Sequence, residues 1–334
     1  PITALSEVFH FLRGEDIAYF HTGSPVTPVT PVTPVHRTSA VARLEITHNS
    51  IMCQHLLYFV VMAKNIITSL LKTRPTPKRL ILSLLSAPSL ETIKVGHLVK
   101  WGQLFGIEAS ATRVAVGRLA KQQLITAVGR GIYTIGPQGS LIAQTASHWA
   151  EVETRIGPWS GSWIVVHTSH LGRVNKTALR ARERAFRLNG FAELVSGLWC
   201  RPDNLAQALD LTRHELITLG LEAEAVVMQV SALPGLGPDE LHALWPREAL
   251  EAGYREYIAA MAVSEQQLQT MGSDDAARET FLVGEAVIRR INADPLLPAQ
   301  MIDTRARHKL IQQMVHYNDT GRSVWADFLA ESPA

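Results

Sequence analysis

Cations and a glycine share one side of a helical repeat at residues 110–121. At about 100° per residue, Arg113, Val114, Gly117, Arg118 and Lys121 fall on one face of SATRVAVGRLAK, and Thr112, Ala115, Val116 and Leu119 on the other. The second face is built to pack. The first can meet an anion, and an arginine fork at position 113 or 118 matches the two acceptors of guanine in a DNA major groove. Ser110 is placed to cap the helix, its hydroxyl accepting from a first-turn amide. Gly117 costs roughly 1 kcal/mol relative to Ala in a helix interior, a cost that close approach of the backbone to a partner would explain. Directly after it, LITAV and GIYTIG enclose Gly129-Arg130-Gly131, so a hairpin with a cation at its tip is expected. Arg130, with Tyr133, is positioned for a phosphate or the minor groove. Without context, the same residues describe an amphipathic helix with solvated charges beside an unrelated hairpin.

Other reactive residue types are sparse. His167 and His170 are two imidazoles with no nearby Cys, Asp or Glu, a weak ligand set for zinc. The two cysteines, Cys53 and Cys200, cannot make a disulfide framework or a Cys-rich metal site, and fit a reducing cytoplasm. No phosphate-cradling glycine loop, nucleophile elbow or HExxH pattern occurs. No catalytic residue, metal or cofactor is assigned, and the chain is read as a non-enzyme. Arg180, Arg182, Arg184 and Arg187 are read as a solvated helix face.

The elements around the basic face supply its context. TPKRLILSLLSAP reads as a helix with Pro77 near its first position. TIKVGHLVKWGQLFGI reads as a second, with apolar spacing at Val95, Leu98, Val99 and Phe105. The Ser110 helix and the hairpin follow. Three helices and then a hairpin is the winged helix-turn-helix order, with the third helix as reader, and the DNA-binding domain is expected over 62–140. Arg74, Lys78 and Arg79 are either flanking phosphate contacts or solvated charge. Residues 141–158 read as a helical connector. Strand, helix, two strands, helix and strand over 159–232 give the β-α-β-β-α-β order of a ferredoxin-like domain. Residues 233–334 read as a helical domain, its last two helices separated by DPLLPAQMI, whose prolines force an extended link.

Whole-chain composition bounds these readings. With 334 residues, 46% hydrophobic and 19% charged, and 7 Trp, two or three globular domains are expected. A net charge of +2 is too small to mark a nucleic-acid binder, so that reading rests on where the charges sit. The apolar run at 56–71 is interrupted by Lys64 and Asn65 and falls short of the ~20 residues a membrane span needs. No membrane segment or signal peptide is expected, and the location is expected to be cytoplasmic. SPVTPVTPVTPVH, with Pro25, Pro28, Pro31 and Pro34, suits an extended or disordered leader over 1–61. Met62 opens a natural-looking start, so the functional fold is expected to begin there.

In this order the motifs resemble the PaaX family of bacterial transcriptional repressors. The matching residues are Trp159 to Trp163 (WSGSW), Gly190 to Pro202 (GFAELVSGLWCRP), Arg289-Arg290 and Asp294 to Pro298 (DPLLP), and the likeness covers about residues 75–331, three quarters of the chain. The resemblance implies repression of genes for breakdown of phenylacetate or another aromatic acid, relieved by an aryl-acyl coenzyme A thioester. A single winged helix makes few contacts, so a homodimer on an inverted-repeat operator is expected. An aryl-acyl effector needs an apolar slot and cations for its phosphates. Trp163, Trp199, Trp245, Tyr254 and Tyr257 are candidates for the slot, Arg289 and Arg290 for the anionic groups. The bland alternatives are that each Trp is core and that Arg289 pairs with Asp294. The leader departs from the usual family length. The central unit also resembles the Cas2-like nuclease fold, whose proposed metal ligand is an Asp at the end of the first strand. Here that strand ends Val166-His167-Thr168-Ser169-His170, so the alternative of a metal-dependent, nucleic-acid-processing nuclease lacks its central carboxylate.

Overall fold

The structure, a computed structural model, describes residues 61–86, 91–140, 143, 148–233 and 235–330. The Pro-rich repeat and the rest of the leader over 1–60 lie outside the described residues. What is described is a mixed α+β chain with two small antiparallel sheets and a helical C-terminal region.

Helical backbone over 61–71 (α1) is followed by α2 (Pro77–Leu85), which starts where the sequence indicates. Thr76 caps it, its side chain accepting from the Arg79 amide, with Pro77 in the first turn. Then come β1 (Ile93–Lys94), α3 (Val95–Leu104), α4 (Ala109–Lys121), β2 (Ile125–Gly129) and β3 (Ile132–Ile135). Ile93 and Lys94 do not begin the second helix, as periodicity suggests. They pair antiparallel with Tyr133 and Ile132, giving a three-stranded sheet of order β1-β3-β2. The β-branched Ile93, fully buried, extends the hairpin by one strand, and this pairing overrides the helical spacing.

A 3-10 helix over His148–Arg155 buries Trp149 and Val152; it stands where a longer helical connector was expected. The second sheet follows from β4 (Trp163–His167), α5 (Lys176–Leu188), β5 (Ala192–Val195), β6 (Leu198–Pro202), α6 (Leu209–Thr218) and β7 (Val226–Val230). Its strand order is β5-β6-β4-β7, antiparallel throughout. Alternation along β4 splits its side chains between two cores. Ile164 and Val166 pack with Phe186 and Leu216 of α5 and α6, while Trp163 and Val165 pack with the C-terminal helices. Helix α6 starts later than its apolar pattern suggests. Asn204 is buried and donates from Nδ2 to the Leu296 carbonyl at 2.7 Å, so residues 203–208 anchor a loop.

The C-terminal region comprises α7 (Pro238–His242), α8 (Arg247–Leu268), α9 (Ser273–Asn292) and α10 (Thr304–Ala330). Between α9 and α10 the proline-bearing link is extended as expected. It is held by Asp294, whose Oδ1 accepts from the Leu296 amide at 2.8 Å and lies 3.7 Å from Arg307.

Two packing facts shift the expected domain boundaries. Ala63 and Ile67 of α1 are buried in the core of the C-terminal helices, and Arg278 of α9 donates to the Leu71 carbonyl. Helix α1 therefore packs with the helical region. The core beneath α2, α3 and α4 is completed by Ala277, Leu282 and Phe328 of α9 and α10. Phe105 lies 5.0 Å from Phe281, and Trp101 lies 6.3 Å from Trp325. Arg79 pairs with Glu285 of α9; it is a partly buried ion pair, not a free cation for flanking phosphate.

Candidate nucleic-acid interface

Helix α4 is held by its partner helix. A Cβ at Gly102 of α3 would lie 3.0 Å from the Thr112 hydroxyl, so the two helices cross closely where Thr112 is buried. Gly106, at φ +67°, turns the chain between them. Thr112, Val116 and Leu119 of α4 are buried and Ala115 is half-buried, as the helical spacing requires. Ser110, Arg113, Val114, Gly117, Arg118 and Lys121 are all exposed. None of Arg113, Arg118 and Lys121 has a hydrogen-bond or ion-pair partner among the described residues.

One detail of that helix is corrected. Ser110 is not the N-cap. The cap position is Glu108, whose backbone is extended and whose side chain makes no capping bond. Helix α4 starts two residues sooner, at Ala109, and Ser110 sits in its first turn, on the open face. Gly117 has no packing reason to lack a side chain, since a Cβ there would meet nothing within 4 Å.

The hairpin turns at Arg130-Gly131, with Gly131 at φ +72°, the left-handed backbone this tight turn requires. Arg130 is exposed at its tip and has no partner among the described residues. The base of the turn is tied to α3, the Val95 amide donating to the Gly131 carbonyl at 2.8 Å. Tyr133 does not accompany Arg130. It lies on the central strand, opposite Ile93 and Ala127, and packs against the core. Sequence reasoning missed two further cations. Lys94 lies on β1 opposite Ile132, beside the hairpin turn, and Lys100 is exposed on α3. Burial, and then the charges of Lys94 and Lys100, hold the His97 imidazole below its usual pKa. Only the unforeseen strand pairing of Ile93 and Lys94 would have signalled the first.

The candidate effector residues separate into three groups. Trp163 and Trp245 are buried and stacked, centroids 6.3 Å apart, with the Trp245 indole donating to the Gly190 carbonyl at 3.1 Å. Trp199 is on the opposite face of the sheet, stacked on Phe186 at 4.5 Å. Its register against Val166 puts it in the other core, so it cannot share a slot with Trp163. Tyr254, Tyr257, Arg289 and Arg290 do come together along α8 and α9. Tyr254 is buried, donates to Asp294, and has the Arg290 guanidinium 5.3 Å over its ring. Burial raises the pKa of both phenols and lowers that of Arg289. Asp294 is engaged by Tyr254 and Arg307, not by Arg289. Two open clefts lie elsewhere. One of about 620 Å³ is bordered by Glu153, Trp159, Pro298, Arg305, Arg307 and His308. The other, about 610 Å³, lies between α8 and α10.

The four arginines of α5 do not form one solvated face. Arg182 is buried and donates to both oxygens of Glu222 and to the Gly172 carbonyl. Arg180 and Arg187 are exposed. His167 and His170 stack at 5.1 Å, the second bonded to the Glu224 carbonyl. Among the described residues no group of three or more His, Cys, Asp or Glu could hold a metal ion, and no helix is long and apolar enough to cross a membrane.

No protein-family model matches the chain, and no curated protein is significantly similar to it. Among solved structures it is similar to an uncharacterized protein from Mycobacterium tuberculosis, at 21% identity and a TM-score of 0.49, over 74% of this chain and 99% of that one.

Proposed function

We propose that the protein is a DNA-binding transcriptional regulator that reads duplex DNA with α4. Residues 77–135 act as a winged helix, with α4 in the major groove and Arg130 as the wing contact to the adjacent backbone. One observation carries the reading: among the described residues, Arg113, Arg118 and Lys121 stand exposed and without partners on a single face, around a glycine whose missing side chain no packing contact requires. Lys94 and Lys100 add positive charge on the neighbouring elements. Arg113 or Arg118 recognises guanine through its fork of donors; Lys121 and Arg130 contribute affinity that falls steeply with salt.

The resemblance to the PaaX repressors extends the proposal. The regulator represses an operon for breakdown of an aromatic compound, in the cytoplasm, as a homodimer on an inverted repeat. It is released by an aromatic acid or its aryl-acyl coenzyme A thioester. The ferredoxin-like unit and the helical region serve dimerisation and effector binding, and Tyr257, Arg289 and Arg290 are the effector candidates that α8 and α9 bring together.

The test is selection of bound duplexes from a randomised library, followed by titration of Arg113→Ala and Arg118→Ala variants against the selected duplex at fixed salt. Each substitution is expected to cost about 1–3 kcal/mol and to relax preference at one base pair. Unchanged affinity and preference in both would remove the proposal.

A further inference from the structure

The open face of α4 is two parallel rows at one-turn spacing: Ser110–Val114–Arg118 and Arg113–Gly117–Lys121. Long cations occupy three of the four ends of these rows, Ser110 holds the fourth, and the centre carries only the two methyls of Val114 and the bare backbone of Gly117. Val114 is 54% exposed and takes no part in the core beneath the helix, which Thr112, Val116 and Leu119 face. A single exposed valine needs no explanation by itself. This one lies beside a glycine with open space over it, inside a stripe of cations that have no partner among the described residues. A base edge drawn in by those cations meets at the centre a surface that can neither donate nor accept a hydrogen bond. The thymine C5-methyl is the apolar group that base pairs present in the major groove.

We propose that Val114 is a specificity-determining residue that packs against the C5-methyl of a thymine in each half-site. Gly117 lets the helix backbone sit low enough for the contact. The inference rests on the reading of α4 as the recognition helix. It adds a preference for a 5-methylpyrimidine at one position, next to the base pair taken by an arginine.

The experiment uses the full chain and the duplex selected from the random library. Each thymine of the half-site is replaced in turn by uracil, which removes only the methyl group, and affinities are measured for the wild type, Val114→Ala and Val128→Ala. Val128, also exposed at 56%, lies on the hairpin and serves as a control. One uracil position is expected to weaken wild-type binding about fourfold, the factor for loss of one buried methyl group. That penalty is expected to vanish in Val114→Ala and to persist in Val128→Ala. Replacing that thymine by 5-methylcytosine, paired with guanine, is expected to spare the methyl contact in the wild type relative to unmodified cytosine. A selected site without thymine, a silent uracil scan, or a penalty that survives in Val114→Ala overturns the methyl contact while leaving DNA recognition by α4 in place. Failure to select any duplex removes both.

Discussion

Gly117→Ala separates what the helix needs from what its partner needs. In the free protein the added methyl meets no atom within 4 Å, and the residue lies inside a regular helix. Alanine there is favoured over glycine by about 1 kcal/mol, because the unfolded chain loses conformational freedom. For a protein of this size that raises Tm by about 1–2 °C. In the proposed complex with DNA the same methyl would stand at the centre of the contact face, between Arg113 and Lys121. Steric overpacking costs about 1–3 kcal/mol, or about a five- to a hundredfold loss of affinity. Thermal unfolding without DNA and fluorescence anisotropy against the selected duplex give the two readings on one preparation. A variant that is more stable but binds as well as the wild type refutes close approach at Gly117. A variant that is less stable refutes the claim that this face is free in the protein.

Three further predictions follow from buried groups. Arg79→Ala leaves Glu285 without its partner in a partly buried setting; a loss of about 3 kcal/mol, at the low end for broken buried pairs, is expected in urea unfolding, and no loss would deny the ion pair a role in seating α2 on α9. The Glu222 carboxyl is held below its usual range chiefly by the hydrogen bond from Arg182, so its contribution is present above the unfolded value of about 4.5 and is lost as pH falls through the lower folded value. The stability difference between wild type and Glu222→Gln should therefore be level from pH 8 to about 5.5 and shrink in acid, and a difference that widens in acid would contradict the sign. Burial pushes the Cys200 thiol up to about 12, so in a Cys53→Ser background it should react with a disulfide reagent at pH 8 only as fast as the chain unfolds; rapid labelling of the native protein would refute its enclosure.

Much of the architecture is legible because it depends on local rules. The amphipathic spacing of α4 predicts its buried and open faces residue by residue, and Thr76-Pro77 fixes the start of α2. What escapes the sequence is set by contacts between distant segments. Ile93 and Lys94 carry a helical pattern, yet they complete a sheet whose other strands lie some forty residues on. Asn204 opens the segment NLAQALDLTRHELITLG, which reads as one helix, yet its amide holds the link after α9. Arg182, one of four similar arginines, differs from the others only because Glu222 waits beneath it. For the candidate site, the exposed stripe is readable from spacing alone. That Trp199 faces away from Trp163 follows only from the register of β6 against β4, which spacing within one strand does not contain.

The larger departure from the sequence reading is that the core beneath α2, α3 and α4 is shared with the C-terminal helices. Ala277, Leu282 and Phe328 complete it from the C-terminal helices, and Phe105, the last residue before the Gly106 turn into α4, rests on Phe281. Packed interiors transmit displacement because they are close-packed and poorly compressible. A displacement of α9 is therefore expected to reach, through Phe281 and Phe105, the turn that precedes α4. Arg289 and Arg290 lie in the last turn of α9, and the Arg79 pKa is lowered first by burial and then by the nearby charge of Arg289. On the proposed reading α9 joins effector site and reader: its last turn carries Arg289 and Arg290, and Ala277 and Leu282 on the same helix pack in the core beneath α4.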